Sequence, residues 1–119
     1  MRHTIFINPD DIIEIRFDGE LNFKDNLELG KKVLTLTTTV KDQGKQAKLL
    51  VDFTNLTSRN PLTTRLNIAI VKDLESVKIA GYGADDKSVK DVEEITTQTD
   101  TKDRIRLFSS RQEAENWLA

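Results

Sequence analysis

Residues 48–66 constrain the fold of this chain more than any other stretch. They begin with Lys48–Phe53, a mainly apolar run that has the length of a central strand and still carries Asp52. The mainly polar residues 54–60 come next and predict a loop. Asn60 and Pro61 then give a strong helix-start signal, because asparagine caps helices well and proline fits the first helical position. A strand, a loop and the start of a helix are therefore predicted in direct succession.

Similar strand and helix patterns flank this unit on both sides. Before it, two short β-rich runs separated by the turn-forming residues 8–11 predict an antiparallel hairpin. After it, strands and helices continue to alternate, which predicts repeated β-α-β steps and a largely parallel sheet. The predicted boundaries are, in chain order, strands His3–Ile7 and Ile12–Phe17 (ended by Asp18 and Gly19), helix Asn22–Lys41, strand Lys48–Phe53, a helix from Asn60 to about Leu74, strand Ser76–Tyr82, helix Lys87–Thr97, strand Arg104–Phe108 and a final helix opened by a Ser110/Glu113 capping box.

The predicted fold class is α/β, with a single domain over residues 1–119. We expect a mostly parallel mixed sheet of about five strands and about four helices, mainly on one face. A sheet covered by helices on both faces usually has continuously apolar strands, whereas at least three strands here alternate between apolar and polar residues. The second face is therefore expected to be more polar. Its predicted polar residues are Glu14, Arg16, Lys78, Arg104 and Arg106.

Composition excludes several classes of function. Without cysteine, the chain forms no disulfide, no Cys-type zinc site and no thiol nucleophile. The net charge is −2 and the basic residues form no run, so we expect no nucleic-acid partner. No apolar stretch approaches the roughly 20 residues that span a bilayer, and the first residues lack a signal-peptide pattern, so we expect a cytoplasmic, non-transmembrane protein. We also predict no metal, no cofactor and no enzymatic activity, since no nucleophile–base pattern is recognisable.

A family resemblance emerges from four quoted segments taken together. They are IEIRFDGEL at 13–21 leading into a helix, LLVDFT at 49–54, VKIAG at 77–81, and an ending with RLF at 106–108, Glu113-Ala114 and Trp117-Leu118. In pattern and order, over nearly the whole chain, they resemble the STAS superfamily, the anti-sigma-factor antagonist fold, especially its SpoIIAA-like branch. The resemblance implies an α/β domain that works by binding other proteins. In typical members, a partner kinase phosphorylates a serine at the start of the second helix, which breaks the complex.

Applied to this chain, the resemblance implies a non-enzymatic regulatory or scaffolding domain that binds a protein partner through residues 57–66. Counted from Asp52, the family's serine position falls at Pro61 or Leu62, and neither carries a hydroxyl. We therefore expect binding without the usual serine phosphoswitch. Nearby hydroxyls either accept phosphate or, as the commoner alternative, satisfy backbone groups of the loop and helix start. The predicted partner-binding residues are Ser58, Arg59, Asn60, Thr63, Thr64 and Arg65, and the candidate phosphoacceptors are Thr57, Ser58, Thr63 and Thr64.

Further features leave alternatives open. Gly81 and Gly83 fit either an anion-binding loop or a plain strand exit with a following aspartate capping the next helix. The first helix is apolar on two rows, which fits a roof over a pocket for a small apolar ligand or lipid, tight packing, or self-association as a homodimer. The lone His3 is expected at the surface, and Trp117 is expected to close the core.

Overall fold

The computed structural model describes all 119 residues and contains the strands and helices in the predicted order. Most boundaries lie within two residues of the predicted ones, and the exceptions are the second and third strands, which are longer. None of the helices combines the length and apolar character that crossing a membrane requires. The elements are β1 (Thr4–Ile7), β2 (Ile13–Leu21), α1 (Phe23–Asp42), β3 (Lys48–Arg59), α2 (Leu62–Asp73), β4 (Lys78–Tyr82), α3 (Asp86–Thr99), β5 (Ile105–Phe108) and α4 (Arg111–Leu118).

The strands form one five-stranded sheet in the order β1-β2-β3-β4-β5. β1 and β2 pair antiparallel, which confirms the predicted hairpin. The other neighbours, β2–β3, β3–β4 and β4–β5, pair in parallel. β3 therefore lies at the centre of the sheet, and the predicted α/β fold with a mostly parallel mixed sheet is confirmed.

Three helices cover one face of the sheet, and the fourth covers the other. Because side chains alternate along a strand, Leu49 and Val51 of β3 face one way and Leu50 faces the opposite way. The prediction of helices mainly on one face is confirmed. The core on the side of α1, α2 and α3 contains Ile13, Ile15, Val33, Val40, Ala47, Leu49, Val51, Leu74 and Val77, and the core beneath α4 contains Ile12, Leu50, Ala80, Ala114 and Leu118.

Side-chain caps fix the starts of three helices. Asn22, Asp85 and Ser110 occupy these positions, and the Ser110 cap and an aspartate cap after Gly83 were among the interpretations of the sequence. The backbone N–H of Ser88 donates a hydrogen bond to Asp85, and this bond lowers the pKa of the Asp85 carboxyl. The three cap distances are 2.8 Å from Asp25 N to Asn22 Oδ1, 2.8 Å from Ser88 N to Asp85 Oδ1, and 3.3 Å from Glu113 N to Ser110 Oγ.

Trp117 closes the core beneath α4, as expected from the sequence. Its ring lies 5.6 Å from that of Phe108, measured between centroids. Lys78 covers the same indole, with its ammonium 4.3 Å from the ring centroid, and donates a hydrogen bond to the Trp117 carbonyl oxygen at 2.6 Å. Lys78, one of the polar residues predicted on this face, thus packs over the edge of the small second core.

An ion pair between buried Glu14 and partly exposed Arg111 holds the start of α4 against β2. Glu14 has a side chain that is only 4% exposed, and its Oε1 accepts a hydrogen bond from Arg111 Nη1 at 2.9 Å. Asn8 Nδ2 donates to Glu14 Oε2 at 2.9 Å. Burial on its own raises the pKa of Glu14, but the hydrogen bonds from Arg111 and Asn8, together with the charges of Arg111 and Arg16, outweigh it, so the pKa lies below its usual value. Glu14 is therefore a structural carboxylate rather than a solvated residue of a polar face.

His3 is buried rather than at the surface, so that expectation is wrong. The whole residue is only 4% exposed. Its Nδ1 accepts a hydrogen bond from the backbone N–H of Asp18 at 2.9 Å. Because that N–H can only donate, the proton resides on Nε2, which donates to the carbonyl oxygen of Glu20 at 3.0 Å. The imidazole thus joins the chain before β1 to the far end of β2.

Candidate functional site

Beyond the main sheet, β2 and β3 continue as a two-stranded extension that carries the start of α2. The pairing runs as far as Leu21 opposite Arg59, with two register shifts on the way. Gly19 sits at one shift with a φ of +85°, a conformation that glycine adopts readily. The predicted end of β2 at Asp18 and Gly19 is wrong, and most of the predicted loop over residues 54–60 is strand instead. The two segments satisfy each other's backbone hydrogen bonds.

Asn60 fixes the first turn of α2 to the end of this extension. Its backbone N–H donates to the carbonyl oxygen of Leu21 at 3.1 Å. Its side-chain Oδ1 accepts from the N–H of Leu62 at 2.9 Å, and its carbonyl oxygen accepts from the hydroxyl of Thr63 at 2.7 Å. Asn60 thus supplies the helix-start contacts predicted from the sequence. Since α1 begins at Phe23, two residues after Leu21, the same contact places the starts of α1 and α2 side by side.

The six predicted partner-binding residues divide into exposed and structural ones. Thr63 is only 1% exposed, so it belongs to the interior rather than to a contact surface. The exposed residues are Ser58 and Arg65, the half-buried ones are Asn60 and Thr64, and the side chains largely withdrawn from solvent are those of Arg59 and Thr63.

Arg59 is committed to an ion pair with α3. Its side chain is 9% exposed, with Nη1 2.8 Å from Asp91 Oδ2 and Nη2 3.6 Å from Asp85 Oδ1. Its Nε is buried without a hydrogen-bond partner. The guanidinium therefore anchors the end of β3 to the first turns of α3 and offers little of itself to another molecule.

A polar groove of about 270 Å³ lies beside this ion pair, between α2 and α3. Its charges are mixed, so it presents no single-sign field to an anion or a cation. The residues that line it are Arg59, Pro61, Thr64, Arg65, Lys87, Asp91 and Glu94.

The candidate phosphoacceptors differ in accessibility. Thr57 and Ser58 are exposed on β3, and Thr64 is half-buried. The Thr63 hydroxyl is buried and donates to the Asn60 carbonyl, which is the backbone-satisfying alternative considered from the sequence. Phosphorylation at the other three positions stays a prediction.

Packing accounts for both Gly81 and Gly83. A Cβ at Gly81 would lie 2.7 Å from Leu107 Cδ2 and 2.8 Å from Phe53 Cε2. Gly83 has a φ of +73°, and a Cβ there would collide with Thr54. These contacts, with Asp85 capping α3, match the plain strand exit, and the anion-binding alternative gains no contact that supports it.

Three large apolar side chains lie exposed where α1 and α2 begin. Phe23 and Leu27 stand four residues apart on one face of α1 and are 41% and 38% exposed, and Leu62 on α2 is 53% exposed. Asn26 of α1 and Asn67 of α2 hold the helices together through a hydrogen bond of 3.0 Å. We call Phe23, Leu27 and Leu62 the α1–α2 seam. The signal for Phe23 and Leu27 in the sequence is that α1 is apolar on two rows, whereas one row suffices to face a sheet.

Comparison with solved structures identifies the architecture. The anti-sigma factor antagonist SpoIIAA in its unphosphorylated form matches with a TM-score of 0.68 and 13% identity over 98% of this chain and 96% of that one. The chain has the SpoIIAA-like fold. A STAS-domain anti-sigma-factor antagonist from Planctomyces limnophilus matches at 0.64 and 17%, covering 98% and 97%. A protein with a SpoIIAA-like fold from Shewanella loihica PV-4 also gives 0.64 and 17%, covering 98% and 92%.

Sequence comparison adds no closer relative of this SpoIIAA-like chain. No protein-family model matches it, and no curated protein sequence matches it. At these identities the structural likeness establishes the fold, while function has to be argued from the site.

Proposed function

We propose that this SpoIIAA-like domain is a non-enzymatic regulatory or scaffolding module that binds a protein partner at the start of α2. The observation that carries the proposal is the α1–α2 seam, together with the exposed polar residues Ser58 and Arg65, which lie four residues before and three residues after Leu62 in the chain. An apolar centre with a polar border is the arrangement typical of protein-binding surfaces.

The seam is rigidly presented, which favours binding. Asn60 fixes the start of α2 to Leu21 just before α1, and the Asn26–Asn67 hydrogen bond joins the two helices. When a partner inserts an apolar side chain here, this domain therefore loses little conformational entropy. The exposed guanidinium of Arg65 adds a site for an acidic residue of the partner.

The shared fold also favours a regulatory role, by analogy with the matching structures. Two of the matching structures are named as anti-sigma factor antagonists, so the architecture is used for regulation in those proteins. Here Pro61 and Leu62 stand where the family's serine is expected, and the buried Thr63 hydroxyl is engaged by the helix start. We therefore propose that the partner binds this surface without the usual serine switch.

The double variant Leu62→Asp/Arg65→Glu is expected to lose the partner while keeping the fold. Both side chains are exposed, so the substitutions leave the core intact, yet they place a buried charge and a reversed charge in the interface. A hot-spot loss of about 2 kcal/mol weakens binding roughly thirtyfold. The measurement is affinity capture from cells that produce the protein, with the captured proteins quantified by mass spectrometry.

A matched control distinguishes loss of the seam from a general effect of changing the surface charge. Ile7→Asp/Lys102→Glu changes the same kinds of side chain on surfaces away from α2, and both residues are exposed. The control is expected to retain the partner at wild-type levels. If both double variants capture the same proteins in the same amounts, the seam is not the partner-binding surface.

A further inference from the structure

The core between the sheet and helices α1, α2 and α3 contains an apolar cavity. Its volume is about 140 Å³, and 13 of its 16 lining residues are hydrophobic. Protein interiors are close-packed, and voids larger than a water molecule are few. A cavity of this size in the main core of a small domain is therefore a feature that needs a physical explanation.

Partial exposure of interior residues shows that the cavity is reached from outside. Ile79 lies on β4, between two neighbouring strands, and faces the helices, yet it is only half-buried. Val92 of α3 and Ile105 of β5 line the same space and are also half-buried. The helical layer is thus incompletely closed over β4 and β5, and this opening gives a small molecule a route into the core.

Contacts between the surrounding elements keep the cavity from collapsing. The Asn26–Asn67 hydrogen bond of 3.0 Å sets the spacing of α1 and α2. At Gly30 the two helices already touch, since a Cβ there would collide with the Ile70 side chain. On the other side, the ion pair between Arg59 and Asp91 holds α3 to β3.

The lining also determines what kind of molecule fits. It carries no charged side chain, which disfavours ions. Its polar groups are the amides of Asn26 and Asn67. Their mutual hydrogen bond, from Asn26 Nδ2 to Asn67 Oδ1, leaves the Asn26 oxygen, the Asn67 NH₂ group and one N–H of Asn26 for another partner. An apolar cavity of about 150 Å³ in another protein stays dry and takes up benzene or xenon.

We propose that this cavity is a binding site for one small, uncharged, mainly apolar molecule of about the size of benzene, with at most one polar group directed at Asn26 and Asn67. The volume is too small for a long acyl chain, so the ligand class is narrower than lipids in general. The site lies in the core rather than at the α1–α2 seam, so it goes beyond the proposed function and stands independently of it.

Benzene is the probe that tests this proposal. Added near its aqueous solubility limit to the purified wild-type chain, it is expected to shift the methyl NMR signals of Val33, Ile70 and Val92 and to raise the thermal midpoint. Val92→Phe places a ring in the cavity, so it is expected to weaken benzene binding at least about tenfold and to raise the midpoint without benzene.

The control is Val89→Phe, one turn earlier on α3 and outside the lining, which is expected to bind benzene like the wild type. If Val92→Phe does not fold, Val33→Leu fills the same space with a smaller change and is expected to weaken benzene binding in the same direction. The proposal is overturned if benzene leaves the lining methyl signals unshifted in the wild type, or if it binds the filled variant as well as the wild type.

Discussion

Replacing Arg59 with alanine is expected to lower the free energy of unfolding by roughly 2 to 3 kcal/mol. The substitution leaves Asp91, whose side chain is 25% exposed, without the guanidinium at 2.8 Å. It also removes the connection between the end of β3 and α3. Losing one partner of a fully buried pair typically costs about 3 to 5 kcal/mol, and the smaller figure reflects the partial exposure of Asp91 and the 62% exposure of Asp85.

The measurement is urea unfolding at neutral pH, with Arg65→Ala as the matched control. Arg65 is exposed on α2 and forms none of the salt bridges, so its replacement is expected to change stability by less than about 0.5 kcal/mol. Equal stability of the two variants would show that the Arg59 ion pair does not hold α3. The expected difference also means that an Arg59 variant tests partner binding poorly, because it perturbs the fold that presents the seam.

Replacing Arg111 with methionine is expected to destabilise the domain by about 2 kcal/mol or more at pH 7, because a buried Glu14 carboxylate is left without its main partner. The loss should shrink in acid. The wild-type pKa of Glu14 is lowered by folding, so its stabilising contribution is present above the unfolded value of about 4.3 and is lost as pH falls through the folded value. Without Arg111, burial favours the protonated carboxyl, so the variant loses less on acidification.

Urea unfolding of both proteins between neutral pH and about pH 3 measures this prediction. The gap in unfolding free energy between wild type and Arg111→Met should narrow steadily as the pH falls. In a Glu14→Gln background, the same Arg111 substitution should cost clearly less, since no carboxylate is left to ionise. A gap that is independent of pH, or an undiminished cost in the Glu14→Gln background, would show that Glu14 and Arg111 do not act as an ion pair.

Local signals were sufficient to predict the elements and their order. Helices start at Asn22, Asn60 and Ser110 through contacts with residues two or three positions later. Because these contacts are local, the residue types alone predict them. The alternation of Ile13, Glu14 and Ile15 likewise reports which face of β2 is apolar.

Contacts between distant parts of the chain explain what the sequence did not predict. Gly19 looks like a strand end, yet β2 continues because β3 pairs with it across more than thirty residues of sequence, from Gly19 to Leu56. Burial of Arg59 depends on Asp91 of α3, and burial of His3 depends on backbone groups at the end of β2. Partners of this kind become neighbours only after the sheet has formed.

Accessibility divides the predicted contact residues, and the contact surface itself stays a prediction. Ser58 and Arg65 are exposed where the sequence placed a contact surface, whereas Thr63 serves the helix start. Phe23 and Leu27 were missed as surface residues because helical spacing identifies an apolar row without showing whether another element covers it. In this fold, α2 reaches only part of that row.

The most direct test of the central claim is to locate the partner contact by site-specific photocrosslinking. A benzophenone amino acid replaces Arg65 beside the seam in one sample and the exposed Lys102, before β5, in a second one. Irradiation in cells that produce the protein is expected to give a covalent partner adduct from position 65, absent in the Leu62→Asp background, and none from position 102. An adduct of equal yield from both positions, or one from position 102 alone, would contradict a partner surface at the start of α2.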